Sequence, residues 1–251
     1  MALLEIKNIS KSFNGIHALR NLSFEIKKGE IVGLIGPNGS GKSTFFNVLT
    51  NAFKKDNGEV YFNGADISTK PTHHIARLGI SRTFQDGKCL PQIKLWENLD
   101  LAFRYKNKIS LANVFFRKRK LLEEEKMHKE KIKEMLKNVG IENKFNTYAK
   151  NLSYGQGKLL EILKVMASDS ELILLDEPFS GLFEEMIKII TALIKDLAAK
   201  GKTIILVEHN MKLISEICDK VIVLDAGQQI AEGSFEEVKK KQIVIDSYIG
   251  K

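Results

Sequence analysis

The sequence has few cysteines. Only two of its 251 residues are cysteine, Cys89 and Cys218, and they lie far apart with no spacing typical of a metal site. Cysteine usage of this kind agrees with a reducing compartment and free thiols. We therefore expect both thiols to be structural or incidental rather than paired or metal-bound.

The sequence also lacks long apolar runs. The longest, such as residues 172–175, fall far short of the roughly 18 to 20 apolar residues that crossing a bilayer requires. Near the start, Glu5 lies where a signal peptide would have a basic and then an apolar stretch. There is no internal repeat and no low-complexity linker. These absences predict a chain that does not span a membrane by itself, is not exported and stays in the cytoplasm.

The composition does not predict disorder. Hydrophobic residues make up 43% of the 251 residues, enough to bury a substantial core in one large α/β unit or in a core with an added subdomain. The net charge of +8 allows attraction to nucleic acid or to an anionic membrane surface. Charge alone reports non-specific attraction and identifies no function.

The first third of the chain predicts strands followed by a helix. Apolar and polar residues alternate over the first thirty positions, with Asn14 and Gly15 as a turn, which indicates antiparallel strands. Residues 31–35 are continuously apolar, as in a strand covered on both faces. A glycine-rich turn and a helix from about Lys42 follow, and residues 60–64 predict another strand and turn. Up to about Phe84, the pattern is a mixed β and α/β core.

The middle of the chain changes to long helical segments. Between residues 98 and 151, Ile132, Met135, Leu136 and Val139 recur at helical spacing, while charged residues occupy the other faces. The charged run is typical of a solvated helix face; a nucleic-acid or lipid contact is the alternative. Beyond it, the strands predicted at 172–175 and 203–207 are separated by a helix, which implies a parallel sheet.

This pattern predicts the fold class and the domain plan. The fold class is α/β: a core with a parallel sheet, an antiparallel β subdomain and an inserted α-helical subdomain. We predict a single domain over 1–251, with residues 1–97 and 152–251 as the core with its antiparallel β subdomain and approximately 98–151 as the helical subdomain.

A phosphate-binding motif lies between the buried strand and the helix. It fits the pattern G-x4-G-K-[ST]. Its residues are Gly36, Pro37, Asn38, Gly39, Ser40, Gly41, Lys42, Ser43 and Thr44. Glycines let consecutive N–H groups face a phosphate, the helix N-terminus adds its positive end, and Lys42 adds a full charge. We expect ATP here, with Ser43 as a Mg²⁺ ligand; a glycine-rich turn without nucleotide is the alternative.

Two carboxylates follow the next buried strand. Asp176 and Glu177 come directly after residues 172–175, at the end of the strand where α/β sheets place their ligands. We expect Asp176 to hold Mg²⁺ directly or through water, and Glu177 to act as the general base toward the attacking water. A carboxylate pair that merely caps a helix is the alternative.

Three further motifs accompany the phosphate motif and the carboxylate pair. They are Gln85, residues 152–156 (Leu152, Ser153, Tyr154, Gly155, Gln156) and His209. The five motifs stand in the same order as in the ATPases of ABC transporters, which the sequence resembles. The resemblance implies a P-loop NTPase core and a single ABC-type ATPase domain over 1–251, with residues 1–97 and 152–251 as the catalytic core. It implies that the domain works as a pair, with ATP between the phosphate loop of one copy and Ser153, Gly155 and Gln156 of the other. It further implies that Phe13 stacks on adenine, Gln85 senses Mg²⁺ and the membrane partner, and His209 contacts the γ-phosphate. For Phe13 and His209, the alternatives are a core aromatic and a structural histidine.

Shorter stretches are similar to the ATPase subunits of branched-chain amino acid importers, and to the related ATPases for urea and amide uptake. They are residues 81–85, the charged insertion before Asn151, Tyr154, residues 207–211 and residues 246–250. The implied function is an ATP-hydrolysing subunit that energises uptake of a solute such as branched-chain amino acids. The implied partners are transmembrane permeases, a second ATPase subunit of the same or a similar chain and, indirectly, a solute-binding protein. No nucleic acid is expected, and the implied location is the cytoplasmic face of the cell membrane.

Two positions depart from the family's pattern. Phe183 replaces the usual Asp or Asn in the loop after Pro178, and an apolar ring cannot accept the hydrogen bonds of a carboxylate or amide. Gly157 and Lys158 replace the usual Gln and Arg, and a glycine there costs up to about 1 kcal/mol of helix stability relative to alanine. Two other functions stay open: an ABC ATPase acting on nucleic acid or the ribosome, and a nucleotide-binding regulator that barely hydrolyses ATP.

Overall fold

The structure, a computed structural model, describes residues 2–83, 89–104 and 118–249, with side chains outside positions 104, 118–122 and 249. The chain divides into two compact units. We call the first the core unit and the second the helical unit. The core unit comprises Met1–Arg82, Glu171–Ser180 and Thr191–Lys251, and the helical unit comprises Thr83–Ser170 and Gly181–Ile190. The domain boundaries predicted from the sequence stay a prediction.

A four-stranded antiparallel sheet forms one part of the core unit. Its strands lie in the order β2-β1-β4-β5. They are β1 (Ala2–Phe13), β2 (Ile16–Lys27), β4 (Asn57–Phe62) and β5 (Ala65–Asp66). Asn14 and Gly15 join β1 to β2 with φ values of 48° and 82°, the two positive values that a two-residue hairpin loop needs. The predicted antiparallel strands and their turn are confirmed.

A six-stranded sheet forms the other part, in the order β10-β9-β3-β8-β7-β6. Its strands are β3 (Ile31–Ile35), β6 (Ile80–Arg82), β7 (Leu172–Asp176), β8 (Thr203–Val207), β9 (Lys220–Asp225) and β10 (Gln228–Gly233). Neighbouring strands are parallel except for β9 and β10. Every residue of β3, β7 and β8 is buried, as continuous apolar runs require. The predicted α/β class with a parallel sheet is confirmed.

Nine helices lie within the described residues. They are α1 (Lys42–Leu49), α2 (Thr72–Arg77), α3 (Leu95–Arg104), α4 (Lys118–Asn138), α5 (Tyr154–Ser168), α6 (Glu184–Ala199), α7 (Met211–Ile217), α8 (Phe235–Val238) and α9 (Gln242–Ile249). Short 3₁₀ turns occupy Glu142–Lys144 and Ala149–Asn151. Phe45 and Phe46 of α1 belong to the same buried cluster as side chains from both sheets. In the part of the chain that is described, no helix combines the length and the apolar character needed to cross a bilayer.

The helical unit contains α3, α4, α5 and the first part of α6. The buried side chains Ile132 and Leu136 of α4 are one turn apart, as their spacing predicts. His128 of α4 lies 2.7 Å from Asp100 of α3 (Nδ1 to Oδ1), and its ring stacks on Phe103 at 4.9 Å between centroids. These contacts join α3 to α4.

Candidate functional site

The glycine-rich turn between β3 and α1 can be formed only by glycine at two positions. Gly36 and Gly41 have φ values of 151° and 104°, in the region that side chains disfavour. A Cβ atom on Gly36 would lie 2.1 Å from the carbonyl oxygen of Leu224, and one on Gly41 would lie 2.6 Å from that of Ala18. The backbone therefore curls tightly at both ends of the turn, as a phosphate-binding loop requires.

The Lys42 side chain is buried and lies inside this turn. Its ammonium donates to the carbonyl oxygens of Gly36 (2.8 Å) and Pro37 (2.9 Å), and it lies 3.3 Å from Ser40 Oγ. Burial lowers the pKa of Lys42, and the charges of Glu177 and Asp176 act in the opposite direction. A buried ammonium bonded to neutral groups of its own loop can exchange these contacts for those of an anion.

The first turn of α1 is open to a ligand. Gly41 precedes the helix and provides no side-chain cap for its N–H groups. Ser43 is exposed and Thr44 is half-buried, while Asn38 and Gly39 in the turn are exposed. N–H groups and the positive end of a helix dipole favour an anion at this position.

Asp176 ends β7 with its carboxyl group buried. It is 1% exposed, and its Oδ2 atom accepts a hydrogen bond of 2.9 Å from Nη2 of Arg82 on β6. The Nη1 atom of the same guanidinium donates to Oδ1 of Asn47 at 2.8 Å. The carboxylate is therefore held in one orientation beside the glycine-rich turn.

The residues Asp176 and Ser43 fit a Mg²⁺ ion. Carboxylate and hydroxyl oxygens are ligands that Mg²⁺ prefers, and this ion is usually bound by one or two protein ligands together with phosphate and water. Asp176 supplies the first type of oxygen and the exposed Ser43 hydroxyl the second. The donor set is sufficient for a metal bound jointly with a nucleotide.

Glu177 has an unusual backbone conformation. Its φ of 49° is in the left-handed region, where a residue with a side chain is strained by about 1 to 3 kcal/mol. Its N–H donates to the carbonyl of Val207 at 2.9 Å, and its Oε1 lies 3.2 Å from Nε2 of His209. Strain of this kind occurs at functional sites, where the surrounding structure holds it. The conformation brings the carboxylate to His209 at the end of the neighbouring strand.

Glu208 supports the loop that carries His209. The residue is 5% exposed, and its Oε1 accepts from the N–H of Phe179 at 3.1 Å. Oε2 accepts from the N–H groups of His209 (2.9 Å) and Asn210 (3.4 Å). One buried carboxylate thus joins the loop after Glu177 to the loop of His209.

Phe13 is a surface aromatic at the end of β1. It is 39% exposed, its ring centroid lies 5.4 Å from that of Phe53, and the ammonium of Lys11 lies 5.1 Å from the ring. Asp56 binds that ammonium at 2.9 Å and accepts from the N–H of Ser12 at 2.6 Å. Phe13 is therefore not a core side chain, and it is held at the surface of the core unit.

The predicted signature residues lie in the helical unit. Ser153 caps α5 and forms a reciprocal pair with Gln156: the hydroxyl accepts from the Gln156 N–H at 3.3 Å, and the Gln156 amide oxygen accepts from the Ser153 N–H at 3.0 Å. Ser153 is exposed and Gly155 is half-buried. Gln85 lies outside the described residues. The helix start that these residues define is thus open to a partner.

The core unit brings together the loop 36–44, Asp176, Glu177 and His209 at the carboxyl ends of parallel strands. Arg82 and Glu208 were missed as members of this site. The signal that could have found them is a charged residue at the end of an apolar strand, a position that parallel sheets use for ligands. The geometry defines a P-loop nucleotide-binding core.

The comparisons with known proteins identify the family. A sequence profile of the family described as ABC transporter matches residues 19–180. A probable branched-chain amino acid transport ATP-binding protein of Archaeoglobus fulgidus is 35% identical over 250 residues, which cover 100% of this chain and 96% of that protein. One of Methanocaldococcus jannaschii is 36% identical over 255 residues, covering 100% and 98%. The chain belongs to the ABC transporter family and is one of its ATPase subunits.

Solved structures agree with this assignment. An ATP-binding cassette of an ABC transporter in its ADP conformation is similar over 100% of both chains, with a TM-score of 0.84 and 35% identity. A bacterial ABC transporter cassette solved as a dimer is similar over 92% of this chain and 98% of that one, with a TM-score of 0.76 and 28% identity. The predicted family, fold and ATPase activity are confirmed.

Proposed function

We propose that this chain is the ATP-hydrolysing subunit of an importer for branched-chain amino acids. The observation that carries the proposal is the likeness over the whole chain to proteins named for that transport, at 35% and 36% identity. The strained Glu177 beside His209 supports active hydrolysis rather than passive nucleotide binding.

In this proposal, the glycine-rich loop holds the phosphates of ATP. The binding residues are Gly36, Asn38, Gly39, Ser40, Gly41, Lys42, Ser43 and Thr44. The ammonium of Lys42 leaves the carbonyls of Gly36 and Pro37 for the β- and γ-phosphates, and Phe13 stacks on adenine. Ser43 and Asp176 hold Mg²⁺, which supplies charge neutralisation at the phosphates when bound. Gln85 is proposed as a further metal and nucleotide contact.

Glu177 is the proposed general base. Its carboxylate accepts a proton from the attacking water as the water oxygen bonds to the γ-phosphorus, and the bond from that phosphorus to the bridging oxygen breaks, so that ADP leaves and phosphate is released. His209, 3.2 Å from that carboxylate, orients it and donates to the γ-phosphate. The buried Glu208 keeps the two loops together while this occurs.

Two such subunits, of this chain or of this chain and a similar one, close around ATP. A neighbouring cassette solved as a dimer supports such a pair. In the pair, the exposed Ser153, with Gly155 and Gln156, contacts the nucleotide of the other subunit. Closure favoured by ATP and reversed by hydrolysis converts chemical energy into motion. Permease subunits at the inner face of the membrane receive this motion, and a solute-binding protein delivers the amino acid to them.

The site is tested by the pair Glu177→Gln and Lys42→Ala. Glu177→Gln is expected to keep Mg-ATP binding and to lower the ATPase rate by about 10² to 10⁴, because only the base is lost. Lys42→Ala is expected to weaken Mg-ATP binding in calorimetry, because a charge-assisted phosphate contact is lost. Wild-type turnover in the first variant, or unchanged affinity in the second, would contradict the assignment.

The transported solute is tested with the assembled transporter in lipid vesicles. The ATPase rate is measured with the solute-binding protein in the presence of leucine, isoleucine and valine, and separately in the presence of urea or an amide. Stimulation by the branched-chain amino acids alone supports the proposal. Stimulation by urea or an amide alone, or of the isolated chain by RNA, would overturn it.

A further inference from the structure

Arg82 joins two elements of the core unit through one buried guanidinium. From the end of β6, Nη2 donates to Asp176 on β7 at 2.9 Å and Nη1 donates to Asn47 on α1 at 2.8 Å. The Arg82 and Asp176 side chains are 9% and 1% exposed. The guanidinium carbon lies 5.2 Å from the ring centre of Phe46. A planar group with several donors and an aromatic ring beneath it has little freedom to turn.

The two partners of Arg82 belong to the two elements that carry the proposed metal ligands. Asp176 is itself one ligand. Asn47 lies four residues after Ser43 on α1, so the two side chains are one turn apart on the same helix face. Arg82 therefore links the element that presents the carboxylate to the element that presents the hydroxyl.

We propose that Arg82 is a positioning residue for Mg²⁺: it holds Asp176 and the Ser43 face of α1 in register, so that both residues could hold the metal together with the nucleotide. The inference rests on the proposed function for the roles of Ser43 and Asp176. The partners that orient metal ligands typically contribute about 10- to 100-fold in metal affinity. Arg82 acts through Asp176 and Asn47 and does not touch the nucleotide.

A purely stabilising role does not explain the arrangement. Replacing a buried ion pair by apolar side chains is often neutral or stabilising, because desolvation offsets the attraction between the charges. The specific feature of Arg82 is its geometry, in which two nitrogens of one rigid plane meet two different elements. A lysine has a single point charge and can hold only one of the two partners firmly.

The experiment measures the gain in nucleotide affinity that Mg²⁺ gives. Binding of trinitrophenyl-ATP is followed by fluorescence in excess Mg²⁺ and in EDTA for the wild type, Arg82→Met, Arg82→Lys and Asn47→Ala. Affinity in EDTA is expected to stay near the wild-type value, because the phosphate loop is intact. The gain from Mg²⁺ is expected to fall by about 10- to 100-fold in Arg82→Met, and to fall also in Arg82→Lys and Asn47→Ala. Arg77→Met, at an exposed arginine of α2, is the matched control and should keep the full gain.

The outcomes separate this inference from the proposed function. A full Mg²⁺ gain in folded Arg82→Met and Asn47→Ala would overturn the positioning role while leaving the nucleotide site intact. Absence of nucleotide binding, or of any Mg²⁺ gain, in the wild type would instead overturn the proposed function. If thermal melting shows that Arg82→Met does not fold, the other two variants decide the result. The quantity compared is again the nucleotide affinity in Mg²⁺ divided by that in EDTA, for Asn47→Ala and Arg82→Lys.

Discussion

The buried charged residues described in the core unit lie in the proposed nucleotide site. Lys42, Asp176 and Glu208 are each less than a tenth exposed, and each makes hydrogen bonds within the strand ends and loops that form the nucleotide site. Burying a charge is costly unless it is paired or hydrogen-bonded. Their placement therefore indicates a site whose geometry is fixed before the ligand arrives.

The half-buried Cys218 gives a residue-level prediction. Burial raises the pKa of Cys218 to about 12. Because the thiolate is the reactive form, at pH 8 the folded chain should react with a thiol reagent on the order of a thousand times more slowly than the unfolded chain. The measurement is the rate of colour release from Ellman's reagent, with Cys89→Ser as the background so that Cys218 is the only thiol.

The raised pKa of Cys218 also determines how the stability of the folded chain changes with pH. The folded state favours the neutral thiol of Cys218. The contribution of Cys218 to the free energy of unfolding is therefore complete below the ordinary thiol pKa of about 8.5, and it is lost as the pH rises from there toward 12. Cys218→Ala should therefore show a smaller loss of unfolding free energy between pH 8 and pH 10 than its Cys89→Ser parent. Rapid labelling of the native Cys89→Ser variant at pH 8 would contradict the prediction.

At the residue level, part of the site follows from the sequence alone. The glycine-rich loop, Asp176 and Glu177 are predictable because the chemistry of a phosphate requires those residue types next to a strand and a helix. Arg82 is not predictable as a partner of Asn47, since they are 35 positions apart and meet only when β6 is added beside β7. The left-handed conformation of Glu177 is also invisible in the sequence, because non-glycine residues adopt it only where tertiary contacts hold it.

The helix α5 combines a strong start with a weak second turn. Ser153 and Gln156 form a full capping box, which stabilises the first turn. Gly157 follows at once, in a helical conformation, and its N–H donates to the Ser153 carbonyl at 2.9 Å. A Cβ atom at Gly157 would meet nothing within 4 Å. The glycine therefore costs helix stability without serving a close contact.

We predict that Gly157→Ala raises the free energy of unfolding by about 0.5 to 1 kcal/mol, because alanine loses less backbone entropy than glycine in a helix. Chemical denaturation followed by circular dichroism measures this change. Gly155→Ala on the same helix is the control for the effect of an alanine at a signature position. It can be accommodated, because its Cβ would make an ordinary contact with the Met186 side chain at 3.5 Å. Gly157→Ala should keep the ATPase rate of the assembled transporter, whereas Gly155→Ala should lower it. A destabilised Gly157→Ala would show that this position needs glycine.

Prediction at the element level works where the local pattern is strong. The strands β3, β7 and β8 match continuous apolar runs, and the turn at Asn14 and Gly15 matches its chemistry. The strand order β10-β9-β3-β8-β7-β6 could not be read in this way. Periodicity reports which face of an element is buried but contains no information about which strand is its neighbour.

The helix α6 begins with an unusual residue for its position. The carbonyl of Phe183 accepts from the N–H groups of Met186 and Ile187 at 3.0 and 3.1 Å, so Phe183 occupies the N-cap of α6. Asp, Asn, Ser or Thr is preferred there, because the side chain can accept from the free N–H groups, and a phenylalanine cannot. The Asp or Asn that the family usually has at this position would therefore stabilise the helix start in addition to any role at an interface.

The Phe183 side chain also matters at the scale of the whole transporter, because it faces solvent in the single chain. Phe183 is 89% exposed, the highest exposure among the large hydrophobic side chains of the described residues. In the proposed pair of ATPase subunits, we expect the loop after Pro178 to lie at the seam between them. An apolar ring gains by burial there, but it leaves polar groups across the seam without a hydrogen-bond partner. Burial of the ring then favours association of the two subunits, whereas the missing hydrogen bonds weaken the coupling between the two ATP sites.

We predict that Phe183→Asp raises the ATPase rate, or its cooperativity with ATP, in the assembled transporter and leaves the nucleotide affinity of the isolated chain nearly unchanged. The carboxylate can accept hydrogen bonds across the seam, and it also caps α6, which should raise the free energy of unfolding by about 1 kcal/mol. Phe183→Ala is the matched control, since it removes the ring without adding a cap or an acceptor. Measuring the rate, the Hill coefficient and the unfolding free energy for both variants separates the effects. If the ring instead anchors the pair, both variants should associate more weakly and hydrolyse ATP more slowly than the wild type, and the coupling account of Phe183 would be wrong.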